Sequence, residues 1–161
     1  MDADTALSYL KGRRVAIAIA HPDDEVMWFS SLLLKKTEVW DIYVESLYDE
    51  GRTENWYKVC ERLNLIPHVG FPSGYSVLIT HNEHGEYGHI KHKKVHQMAR
   101  DSGSDLLVST YPQGEKIDVE AKRSLIEMYD EPTKRFKHRW QALMRHYKWK
   151  REGFRYIRLS S

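Results

Sequence analysis

The sequence predicts an α/β domain in which a mainly parallel sheet lies between layers of helix. Residues Arg14 to Ala20 (RVAIAIA) form a near-continuous apolar run, the pattern of a strand covered on both faces. A helical stretch from Asp24 to Lys36 follows at once, and the same strand-then-helix succession recurs along the chain. Strands that alternate with helices of about ten residues or more pair in parallel through right-handed crossovers, which gives a three-layer, Rossmann-like arrangement.

The elements follow in order. Val39 to Ser46 reads as a strand, and Thr53 to Leu63 as a helix with Trp56, Val59, Cys60 and Leu63 at helical spacing, Gly51 and Arg52 lying in the loop between. His68 to Phe71 and Ser76 to Thr80 read as short strands. A Gly- and His-rich loop then leads into a helix from Gly88 to Ala99, and Asp105 to Thr110 (DLLVST) is another apolar strand. Past Ile117 the pattern turns helical, with Ile117, Ala121, Leu125 and Met128 on one face. A stripe of Trp140, Leu143, Met144 and Tyr147 predicts a last helix, and Phe154 to Leu159 a final strand. Residues 1–161 contain no repeat, low-complexity segment or linker, so one domain with one core is expected.

Composition narrows the function classes. The chain is 41% hydrophobic and 30% charged, ordinary for a globular protein and unlike disordered or collagenous chains. No apolar run reaches the ~18 residues of a membrane span, and MDADTALSYLKGRR lacks the order of a secretory signal, so a cytoplasmic location is expected. The single cysteine, Cys60, is read as core filler. It excludes cysteine-rich zinc modules, so any metal has to be bound by His and carboxylates.

Two clusters carry chemistry, each at the end of a predicted strand, where parallel sheets bind ligands. In the first, His21-Pro22-Asp23-Asp24-Glu25, Pro22 ends the strand ladder and the two aspartates fall at a helix start, where the dipole favours negative charge. The second runs from His81 to His92. There His89 and His92 are spaced to share a helix face, and His92 is in line with Val95 and Ala99 and so points inward; His92 with His96 is an alternative metal-binding pair. Together the clusters fit a catalytic zinc site, which takes three N/O ligands and keeps one position open for a water whose pKa falls to about 7. His21, Asp24 and His92 would supply the ligands, leaving Asp23 free to act as base. The same donor set suits ferrous iron.

At these residues the chain resembles the LmbE/PIG-L family, in which a strand ends in A-H-P-D-D-E and a later G-E-Y-G-H-x-x-H completes a metal site. Both are present, as Ala20 to Glu25 and Gly85 to His92, and the resemblance extends from the first strand through the Arg52 loop to Glu152-Gly153-Phe154. It implies a zinc-dependent hydrolase that removes the acetyl group from an N-acetylglucosamine-type sugar conjugate. It further implies that His21, Asp24 and His92 bind zinc, that Asp23 is the general base, that Tyr87 and a cationic His89 stabilise the oxyanion and protonate the leaving amine, and that Arg52 contacts substrate. The chain departs from the family where Ile90-Lys91 replace the usual Pro-Asp, where Asn55 stands for an acid, and in being shorter than most members.

A rival reading comes from the basic segment Thr133 to Arg158, whose aromatics Phe136, Trp140, Tyr147, Trp149, Phe154 and Tyr156 suit nucleic-acid or other polyanion binding. The two readings combine if that segment holds an anionic substrate, such as a nucleotide-linked or phosphorylated sugar. A phosphate-binding dinucleotide domain is disfavoured, because no G-x-G-x-x-G follows the first strand.

Overall fold

A computed structural model describes residues 1–47, 52–130 and 150–160. The expected last helix around Trp140 to Tyr147, Gly51 and most of the basic segment lie outside the described residues. The fold is α/β, with a six-stranded, mostly parallel sheet flanked by helices. Its strands are β1 (Val15–Ile19), β2 (Trp40–Val44), β3 (Leu65–Val69), β4 (Val77–Thr80), β5 (Asp105–Ser109) and β8 (Phe154–Ile157). They lie in the order β3-β2-β1-β4-β5-β8, all pairings parallel except that of β5 with β8. A two-stranded antiparallel ribbon, β6 (Glu115–Lys116) with β7 (Arg151–Glu152), was not foreseen. Neither was the first helix, α1 (Ala3–Leu10), capped by the Asp2 carboxylate accepting from Thr5 N–H.

The alternation in VAIAI divides the core. Val15, Ile17 and Ile19 point to one face, where Ile42, Val44, Val77, Ile79 and Leu107 join the buried sides of α1, α2 (Asp24–Lys35), α3 (Arg52–Arg62) and α6 (Val119–Asp130). Ala16 and Ala18 point to the other face, where small side chains let α5 (Ile90–Asp101) approach through Val95 and Ala99. Cys60 is buried in the larger core, and burial pushes its thiol up, as suits filler rather than a nucleophile. Among the described residues no helix is long and apolar enough to cross a membrane.

The chain winds β1, β2, β3 in one direction and then returns through 70–76 to place β4 on the other side of β1. The switch point therefore lies between β1 and β4, with α2 and α5 leaving it on opposite faces. A crevice beyond the carboxyl ends of these strands is the ligand position of such sheets.

Two polar clusters fasten the far end of the chain. Asp105 accepts from Arg13 (2.7 Å), the Tyr156 hydroxyl (2.5 Å) and the amides of Leu159 and Ser160 (both 2.8 Å). Burial opposes its ionisation, but these donors, Arg13 first, hold the carboxyl well below the usual range. Lys122 is fully buried, donating to Met27 O (2.6 Å) and Glu152 (2.7 Å); Glu152 also accepts from the Ser30 and Ser31 hydroxyls (2.6 Å each). This network turns α6 about one residue from the expected face. Lys122, Leu125, Ile126 and Tyr129 are buried, and Ile117 precedes the helix.

Glu152→Ala strands the Lys122 charge and is expected to cost about 3 to 5 kcal/mol of stability, read as a lowered urea midpoint. The double variant Lys122→Met/Glu152→Leu should recover most of it. Asp105 titrates below an unfolded carboxyl, whose pKa is about 3.9. Its stabilisation is complete above that pH and is lost as pH falls toward the folded value. Wild type should therefore lose stability between about pH 5 and 2 more steeply than Asp105→Asn, measured by urea unfolding across that range.

Candidate metal centre

The two clusters converge at the switch point. β1 ends at Ile19, and Pro22 turns the chain so that Asp23 caps α2 in the left-handed region, φ 100°, while its carbonyl accepts from Val26 and Met27 N–H. That conformation is uncommon for a residue with a Cβ and costs of order 1 to 3 kcal/mol. Glu25 secures it. Its Oε2 accepts the Asp23 amide at 3.1 Å and its Oε1 accepts the Tyr129 hydroxyl. Burial, with the Asp23 and Asp24 charges beside it, pushes Glu25 up to about 8 against the Tyr129 bond, so it is mostly uncharged at neutral pH.

Behind β4 the chain makes a tight turn, α4 (Gly85–Gly88), with Glu86 at φ 57°. A Cβ on Gly85, itself at φ 64°, would lie 3.0 Å from Lys93 Cγ and 3.4 Å from His92 Cβ, so a side chain there is strained and glycine is favoured. Asn82 shapes the turn by accepting the amides of His84 (2.9 Å) and Glu86 (3.1 Å). The expected continuous helix from Gly88 is broken. His89 has extended φ/ψ and caps α5 through Nδ1, which accepts Lys91 N–H at 3.2 Å. His89 and His92 therefore do not share a helix face, yet the kink stacks their rings at 4.5 Å.

Three histidines, His21, His81 and His92, lie against Asp24, with His89 against His21 and His96 against the His81 carbonyl, and hydrogen bonding sorts them. Glu86 Oε2 receives Nδ1 of both His81 (3.0 Å) and His92 (2.7 Å). A carboxylate can only accept, so both rings carry a proton on Nδ1. His81 Nε2 then accepts Ala20 N–H at 3.0 Å, which commits its lone pair. Glu86 and Asp24 favour a His81 cation and burial opposes it, but the Ala20 amide leaves no room for a second proton. His92 Nε2, by contrast, is buried with no hydrogen-bond partner and lies 3.3 Å from Asp24 Oδ1. His21 Nδ1 lies 3.4 Å from Asp24 Oδ2, which also accepts the His21 amide at 2.8 Å. His96 is turned to the His81 carbonyl (2.7 Å), and the His92/His96 pair does not form a ligand set with the others.

Among the described residues, two groups of side chains could hold a metal ion: His21, His89 and His92, or Asp24, His81 and His92. The expected set of His21, Asp24 and His92 is neither group and draws on both, while backbone amides engage a ring nitrogen of each remaining member, His81 and His89. Burial alone would raise Asp24, but His92 and His81 hold it well below the usual carboxylate range. Burial works against the His92 cation, yet Asp24 and Glu86 raise it to about 9; a metal has to displace that proton, so binding weakens as pH falls.

The remaining expected residues sit close by. Asp23 is not free: Arg52, the first residue of α3 rather than a loop residue, pairs with Asp23 Oδ2 at 2.9 Å, and its side chain is only 15% exposed. Tyr87 is half exposed over the site, its ring 5.6 Å from that of His92. His89 is lowered by burial and by His92 and His21, which corrects the expected cation: it is a neutral ring whose proton is on Nε2. Asn55, where the resembled family has an acid, is buried and donates to Tyr129 O at 3.3 Å. Glu86 falls inside the second motif, and no local signal in the sequence shows that it serves two histidines. In the basic segment, Phe154 is core, Tyr156 bonds Asp105, and Arg155 pairs with Glu83 at 2.5 Å.

No family model matches the chain. It is 25% identical over 113 residues to the uncharacterized protein L374 of Acanthamoeba polyphaga mimivirus; the alignment covers 70% of this chain and 46% of that protein. The chain thus spans about half the length of the relative it matches.

Glu86→Gln keeps the shape but loses the charge that orients His92, and a carboxylate behind a ligating histidine is typically worth 10- to 100-fold in metal affinity. The variant is expected to bind zinc weaker by about that factor in a chelator-competition titration. An unchanged affinity would mean that His92 is not a ligand.

Proposed function

We propose that the protein is a zinc-dependent amidohydrolase of the LmbE/PIG-L type, removing the acetyl group from an N-acetylglucosamine-like sugar conjugate. The observation that carries this reading is the uncommitted, buried Nε2 of His92, held by Glu86 against Asp24 and His21 with a second aspartate alongside. Two imidazoles and one carboxylate suit zinc in a catalytic site with an open position. They also suit ferrous iron, which metal analysis separates.

Zinc bound by His21, Asp24 and His92 would supply Lewis acidity toward the acetamide carbonyl and make water acidic near neutral pH. The chain's own groups do the rest. Arg52 holds the Asp23 carboxyl group in place; when Arg52 turns to the substrate, Asp23 is released to take a proton from the attacking water. The neutral His89, with its proton on Nε2, and the Tyr87 hydroxyl donate to the oxyanion as the carbonyl becomes tetrahedral. The departing nitrogen needs one proton. Asp23 holds the one taken from water and passes it to the nitrogen, so acetate and a free amine leave with the proton count balanced. An anionic carrier on the sugar accords with Arg52 as a substrate contact.

Adjacent aspartates at a helix start face different ways, so they should fail differently. Asp24→Ala should lose zinc and, with it, the rise in melting temperature that zinc confers. Asp23→Asn should keep stoichiometric zinc while kcat falls by about 10² to 10⁴. Zinc content and single-turnover acetate release on both variants decide the roles; reversed behaviour reverses them. Full activity in chelated wild type would remove the metal from the reaction.

A further inference from the structure

Helix α6 packs against both α2 and α3, and Tyr129, buried near its C-terminal end, bonds to each of them. Its hydroxyl donates to Glu25 Oε1, and the other oxygen of that carboxyl group accepts the Asp23 amide at 3.1 Å. Its carbonyl accepts from Asn55 Nδ2 at 3.3 Å. Asn55 is itself buried and follows Arg52 by three residues on α3, so the two side chains leave the same side of that helix. One residue of α6 therefore reaches the start of α2 through its side chain and the start of α3 through its backbone. Those two helix starts carry the two halves of the 2.9 Å pair between Asp23 and Arg52.

A phenylalanine would fill the Tyr129 position without a hydroxyl that burial obliges to find a partner. Phe29 and Phe154 stack in that way in the same core. The partner that the Tyr129 hydroxyl finds is the carboxyl group bonded to the Asp23 amide, where φ is 100° and the conformation has to be enforced by its neighbours. Asp24, one residue on, is held separately. Its amide bonds the His21 carbonyl at 3.2 Å, and its carboxylate lies against His21, His81 and His92. The contacts of Tyr129 thus converge on Asp23 and Arg52 and not on the candidate metal ligands.

We infer that Tyr129 is a positioning residue for the Asp23–Arg52 pair, its hydroxyl acting through Glu25 on Asp23 and its carbonyl acting through Asn55 on Arg52. The inference rests on the amidohydrolase reading for the task of Asp23 as base. A base works only within hydrogen-bond reach of the proton it takes, and a displacement of about 1 Å costs up to about 10²-fold in rate. Tyr129→Phe removes the hydroxyl arm and keeps the carbonyl arm, so Asp23 loses its indirect support while the metal ligands keep theirs.

Two measurements on the full chain test this. In the zinc-loaded protein, Tyr129→Phe should keep stoichiometric zinc and lower kcat for acetate release by about 10- to 100-fold, with KM changed less than about threefold. In an Asp23→Asn background the same substitution should change kcat less than about twofold, because the base that it positions is gone. A purely structural role would lower kcat by the same factor in both backgrounds. In the zinc-free, ¹⁵N-labelled protein, hydrogen exchange of the Asp23 amide should speed up about tenfold in Tyr129→Phe, while that of Asp24, bonded to the His21 carbonyl, changes less than about threefold. Asn55→Ala cuts the other arm, and its loss of kcat should likewise vanish in the Asp23→Asn background; this cycle decides the matter if Tyr129→Phe does not fold. An unchanged kcat in Tyr129→Phe, equal losses with and without the Asp23 carboxyl group, or an Asp23 amide whose exchange stays the same overturns the inference. A wild type that releases no acetate removes the deacetylase reading, and the exchange rates then decide the positioning role on their own.

Discussion

Glu86 is a buried carboxylate that no cation from lysine or arginine offsets in the contacts described; two imidazole N–H groups and the Asn82 amide do so instead. Much of the centre follows from that arrangement. Because Glu86 takes Nδ1 of both rings, the histidines are locked in one tautomer and stack at 3.9 Å, and their Nε2 atoms face Asp24. The Ala20 amide then breaks the symmetry between them, leaving His92 as the ring whose Nε2 no hydrogen bond engages. Burial makes each of these bonds worth more than it would be in water, and makes each unpartnered atom more conspicuous.

Charge in the crevice is arranged in small neutral sets. Asp23 is offset by Arg52, Asp24 by the histidines, and Glu25 is kept largely protonated by burial between them. If all three acids were ionised without these partners, their repulsion at the start of α2 would exceed what the helix dipole offsets. Strain has the same address. Of the three non-glycine residues at positive φ among the described residues, Asp23, Asn64 and Glu86, two belong to the centre. In each case a side chain or amide bond holds the unfavourable conformation in place.

Such placement needs a rigid support, and the support comes from residues distant in sequence. Lys122 and Glu152 bind the carbonyl of Met27 and the hydroxyls of Ser30 and Ser31, so α2 is held in its first turns and at its middle by α6 and β7. Tyr129, from α6, reaches Glu25 and through it the Asp23 amide. The C-terminal strand β8, antiparallel at the sheet edge, is fastened by Asp105. Of the basic segment's described charges, Arg151 donates to Gly114 O and Arg155 pairs with Glu83 at the surface.

Local pattern was enough to reveal the three-layer α/β class, the strands around RVAIAIA and DLLVST, and the inward direction of His92, because periodicity and burial are properties of neighbouring residues. The same holds for the two motifs and their places at strand ends. Three decisions lay beyond it. The kink at His89 arises from the turn built by Asn82, Gly85 and Glu86, and it converts an expected helical histidine into a cap with a neutral ring. The Arg52–Asp23 pair joins helices α3 and α2, which only the order of strands brings together. And which of His81, His89 and His92 has no ring nitrogen accepting from the backbone was decided by the amides of Ala20 and Lys91, whose direction is set by the folded chain and carries no mark in the identity of any residue.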